Sequence, residues 1–161
     1  MHSVNSSVAL LLAFAVGVIA GLRAMTAPAV TAWAAHLGRL NLRGSSLACM
    51  GSVWAVAIFT LAALGELVAD QLPTTPARTK PGPLGARIVM GGLCGACVLV
   101  AAGKAAWLGA ALGAIGGVVG AFAGYHGRVG LARALRVSDV VIAIAEDVVA
   151  IGIGLLIVSR F

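Results

Sequence analysis

A chain of 161 residues with 61% apolar and 10% charged side chains, and a mean hydropathy of +1.07, has too few polar groups to cover a water-facing surface. The composition excludes an ordinary soluble domain and makes lipid the natural solvent for one small polytopic domain, residues 1–161. Lys and Arg sit between apolar runs and bring the net charge to +6, which suits topology and lipid headgroups; no nucleic-acid partner is expected.

Hydrocarbon admits only helices or closed barrels, because the backbone must satisfy its own hydrogen bonds there. The apolar runs lack a two-residue alternation, so the expected fold is an all-α integral membrane protein with about five spans. The leading residues MHSVNSS carry no Lys or Arg, and further spans follow, so the first run reads as a retained helix.

Span 1 covers about 8–33 and is interrupted by Arg23 and Pro28. It is long for one straight crossing of about 20 residues, so either the helix is tilted or, as the reading favours, it breaks near 21–28 and restarts as a half-helix. Residues 36–46, with Arg39, Arg43 and Gly44, form a loop. Span 2, about 47–70, carries Glu66 and Asp70 at i, i+4, on one helical face, and ends at Pro73. The loop 72–84 is rich in Pro and Thr and holds Arg78 and Lys80.

Span 3 covers about 87–103, and span 4, about 105–125, is glycine-rich. Gly109, Gly113 and Gly117 recur every four residues, as do Gly116, Gly120 and Gly124, giving two small-residue ridges for close helix packing within the chain or between copies. Residues 126–139 form a basic connection with Arg128, Arg133 and Arg136. Span 5, about 138–158, places Glu146 and Asp147 near its centre. On this topology the Lys and Arg bias is small; it favours a cytoplasmic N-terminus and is weak enough to permit both orientations. Short words around Arg23 and Glu66 echo those around His126 and Glu146, suggesting an inverted repeat.

Carboxylates at the centre of a span cost about 2.5–3.5 kcal/mol each on insertion scales, so Glu146 and Asp147 must be paired, protonated or lining a path. Either an ion pair with Arg23 or Arg87 or an ion-handling site satisfies that requirement. Glu66 and Asp70 bind a cation, relay protons or hold the basic loop. Arg23 requires a carboxylate or an anionic ligand, with Thr26 adding a hydroxyl nearby. In the loop, Thr74, Thr75, Arg78, Lys80 and Arg87 together suit a phosphate group.

Cys94 and Cys97 form a CxxC among apolar neighbours and read as packing residues rather than a redox pair. The three histidines are scattered without zinc spacing; no metal and no cofactor are expected.

The words GLRAMTAPA at 21–29, ELVADQLP at 66–73 and AEDVVA at 145–150 resemble the bacterial membrane family catalogued as domain of unknown function 4126. That resemblance implies a small, helical, multi-pass inner-membrane protein. The turn E-x-x-x-D-x-x-P also resembles, distantly, the acidic motif of undecaprenyl-diphosphate phosphatases. The Ser and the His or Arg of that motif are not in its fixed order here. The expectation from all of this is a small transporter or channel for an ion or small solute, forming a homo-oligomer. The alternatives are a lipid-phosphate-binding protein or enzyme acting at 73–87, and a structural accessory protein.

Overall fold

The computed structural model describes residues 5–69, 80–135 and 139–160. Among them it is helical with no strand: α1 (Ser6–Leu22), α2 (Thr26–His36), α3 (Val53–Ala69), α4 (Pro81–Ala101), α5 (Ala106–Leu135) and α6 (Asp139–Val158), with a single 3-10 turn at Ala48–Gly51 before α3. Two helices, at Pro81–Ala101 and Ala106–Arg128, are long and apolar enough to cross a membrane. The apolar helices α1 and α3 are shorter.

The expected break in the first span is present, but it reverses the chain. Gly21 lies at Arg87, and Ser6 accepts from the Lys104 ammonium at 2.8 Å, so α1 runs antiparallel to α4. Thr31 of α2 reaches Cys94 of α4, so α2 runs back alongside α4 toward its C-terminal end. The segment read as one interrupted crossing is therefore a helical hairpin, with its tip at 23–25. A topology in which residue 6 and the loop after His36 lie at opposite ends is corrected. The reversal falls where Arg23 takes an extended backbone conformation (φ −137, ψ 108). Pro28 follows as the third residue of α2, where a missing N–H costs nothing because first-turn N–H groups have no partner within the helix.

Three other boundaries differ from expectation. The helix of the second span, α3, starts at Val53, after the 3-10 turn, rather than near 47. That of the third span, α4, starts at Pro81 rather than near Arg87, because Pro81 occupies the first helical position, where its fixed φ favours a start. That of the fourth, α5, continues to Leu135, beyond 125. The arginines read as a connection are good helix formers, and no proline interrupts them. The inverted repeat is not evident in this arrangement.

α5 is the spine of the packing, and its two glycine ridges serve two partners in the same chain. A Cβ at Gly109 would meet the backbone of Gly95 at 2.7 Å, and one at Gly113 that of Gly91 at 2.8 Å, both on α4. On the neighbouring face, Gly116 and Gly120 abut Val18 of α1, with nearest approaches of a Cβ within 3 Å of its backbone. Such contacts hold only while these positions lack side chains. Gly21 completes the junction: a Cβ there would lie 2.6 Å from the Ala121 nitrogen.

One apolar cluster joins Ala13, Val16 and Ile19 of α1 to Val98 and Leu99 of α4 and Ala150 of α6. A second joins Ala32 and Ala34 of α2 to Leu40, Met50 and Val56. Large apolar side chains also cover the outside, among them Leu11, Ile58, Leu61, Ile115, Val148 and Leu156. Trp33, Trp54 and Trp107 are exposed at the end of the bundle that carries Lys104.

Candidate functional site: a charged node at the hairpin tip

A helix that stops and restarts leaves carbonyls without donors at one end and N–H groups without acceptors at the other. At the α1–α2 tip, side chains from distant elements supply both. Glu66 of α3 accepts from the Ala24 N–H through Oε1 and from the Met25 N–H through Oε2, each at 2.8 Å. Met25 itself makes no side-chain cap, so a carboxylate some forty residues away caps α2. On the other side, Arg87 of α4 donates through Nε to the Gly21 carbonyl at 2.8 Å and through Nη1 to the Pro83 carbonyl at 3.3 Å. Its Nη2 lies 3.7 Å from Glu66 Oε1. Arg23, within the tip, makes an ion pair with Asp147 of α6.

The signs match the local backbone field. The N-terminus of α2 carries the positive end of its dipole and faces Glu66, whereas the C-terminal carbonyls of α1 carry the negative end and face Arg87. Two guanidinium groups and two carboxylates make the node formally neutral. They are well buried: the side chains of Arg23 and Arg87 are 1% and 5% exposed, and those of Asp147 and Glu66 are each 13% exposed. Side chains from three helices, α3, α4 and α6, thus converge on the break between α1 and α2. Chemically the node can exchange partners. A proton or cation at either carboxylate competes with a guanidinium, and an anion competes with a carboxylate for the same guanidinium.

The sequence candidates divide accordingly. Arg23, Glu66 and Asp147 come together at the tip, and Thr26, buried, is the first residue of α2. Glu146 is half-buried beside Asp147 on α6. Arg23 pairs with Asp147. Asp70, Thr74, Thr75 and Arg78 lie outside the described residues. Lys80 is exposed immediately before α4. Arg87, grouped by sequence with the loop as a phosphate ligand, belongs instead to the node. Its neighbours in sequence are loop residues, but a turn and a half of helix past Pro81 it points to Gly21 and Glu66.

Sequence reasoning missed the backbone N–H groups of Ala24 and Met25 as the ligands of Glu66. The available signal was a broken helix in one span and a carboxylate of matching depth in another. Cys94 and Cys97 are buried and unbridged in the packed part of α4, and Cys49 is exposed. No group of three or more metal-ligating side chains occurs among the described residues. Comparison of the chain with protein-family models, curated proteins and solved structures finds no match.

Proposed function

We propose that this chain is a multi-pass protein of a bacterial inner membrane that acts as a small transporter or channel for an ion or small solute, with the charged node at the α1–α2 tip as its site. The observation that carries the reading is Glu66 capping a helix restart inside an otherwise apolar bundle. Bare stability does not call for this arrangement, since buried ion pairs contribute little beyond what well-packed apolar residues supply. Irregular backbone and paired charges at membrane depth are instead features of transport pathways, where half-helix ends bind charged species.

The arrangement corresponds to a closed state. Glu66 is held by two backbone N–H groups and Asp147 by a guanidinium. Arrival of a proton or small cation at Glu66 or Asp147 weakens its hold on the hairpin tip. The tip then shifts toward an alternative position in proportion to the differential affinity of the ion for the two states. Glu146, beside the Arg23–Asp147 pair, is a second acceptor on the same path.

The test is flux in proteoliposomes across a panel of protons, monovalent cations and small anions, comparing wild type with Glu66→Gln and Glu146→Gln. Flux that depends on the wild-type carboxylates is expected. Flux that equals protein-free vesicles throughout, or is indifferent to both substitutions, overturns the reading.

A further inference from the structure

The hairpin brings the start of α1 to the same side as residues 37–52, and it leaves the two sets of exposed charges as the five-span reading has them, apart from Arg87, which is buried. Ser6 bonded to Lys104 fixes the start of α1 at the α4–α5 turn, and the return of α2 brings residues 37–52 to the same end. His36 donates through Nδ1 to the Gly51 carbonyl at 3.0 Å, which ties the end of α2 to the turn before α3 there. α6 runs parallel to α2, with Asp147 at Arg23 and Gly154 against Val30, so Arg160 belongs to this end as well. This end therefore carries Arg39, Arg43, Lys104 and Arg160. The opposite helix ends carry Lys80, Arg128 and Arg133, and the sequence between α3 and α4 and between α5 and α6 adds Arg78 and Arg136, which lie outside the described residues. Arg23 and Arg87 are buried in the node and face neither side. The sides differ by one positive residue.

Orientation of a multi-pass protein is set by the Lys and Arg excess in its short connections, with Asp and Glu contributing little. Every connection here is short enough for that rule to apply. We infer that the chain inserts in both orientations, in comparable numbers, because its two faces are nearly equal in the property that insertion reads. The inference rests on the membrane reading above and not on transport. Copies of opposite orientation would supply between them the inverted symmetry that a single chain does not display.

The native cysteines make the test simple. Cys49 is exposed, and it lies in the 3-10 turn at the Lys104 end; Cys94 and Cys97 are buried. The wild-type protein is labelled with a charged, membrane-impermeant maleimide in right-side-out and in inside-out bacterial membrane vesicles, and the total is set by labelling after permeabilisation. Between roughly one third and two thirds of the total is expected from each side, as the charge balance requires. Labelling outside that range overturns the inference.

Arg39→Ala with Arg43→Ala, both at exposed positions, widens the difference from one residue to three and is expected to move Cys49 to the outside in nearly all copies. An unchanged mixture in that variant also overturns it. Resistance of the protein to alkaline extraction, scored on the same vesicles, tests the membrane reading separately.

Discussion

The Arg23–Asp147 pair gives the sharpest test of how the node is held. Arg23 is 1% exposed and Asp147 13% exposed, so replacing either alone removes a countercharge from the other among helices with little access to water. Removing one partner of a buried pair costs about 3–5 kcal/mol, whereas replacing both by apolar residues of similar volume is close to neutral or stabilising. Asp147→Leu and Arg23→Met are each expected to fall in the destabilising range. Arg23→Met is expected nearer the lower limit, because Asp147 keeps some solvent contact.

The double substitution is expected within about 1 kcal/mol of wild type. The resulting coupling of at least about 5 kcal/mol exceeds a thousandfold change in the folded-to-unfolded ratio. Reversible unfolding in mixed micelles of a mild detergent and dodecyl sulfate, followed by far-ultraviolet circular dichroism, measures all four corners of the cycle. Additive single effects, with coupling under about 0.5 kcal/mol, would refute the pairing as the reason these charges are tolerated.

Glu66→Gln leaves one amide oxygen to serve two N–H groups and removes the countercharge of Arg87; the expected loss is about 2–3 kcal/mol, read in the same titration. Gly113→Ala places a methyl within 2.8 Å of the Gly91 backbone and forces α4 and α5 apart, at a cost of about 1–3 kcal/mol or more. Gly152→Ala meets nothing within 4 Å and is expected to gain about 0.8–1 kcal/mol from helix propensity. Equal effects at these two glycines would contradict the packing described for α5. Because Cys94 and Cys97 are buried thiols, millimolar-range reductant is expected to leave the unfolding midpoint unchanged.

The sequence determined the helical alphabet of the fold. Its apolar fraction, its unbroken runs and its glycine spacing depend on composition and local period, which require no knowledge of neighbours. Helical character, the break near Arg23 and the two ridges of α5 were all legible for that reason. The charged residues that matter were legible too, because a Glu or Arg within an apolar run is conspicuous wherever it lies.

Tertiary structure decided the path and the pairing. Whether a broken helix continues or doubles back depends on what receives its loose ends. Here Glu66 takes the N–H groups of Ala24 and Met25, and Arg87 takes the Gly21 carbonyl, from elements far away in sequence. The ion pair of Arg23 with Asp147 is fixed only when α6 packs on the hairpin. The glycine ridges presented two faces without naming partners, and packing assigned one to α4 and one to α1.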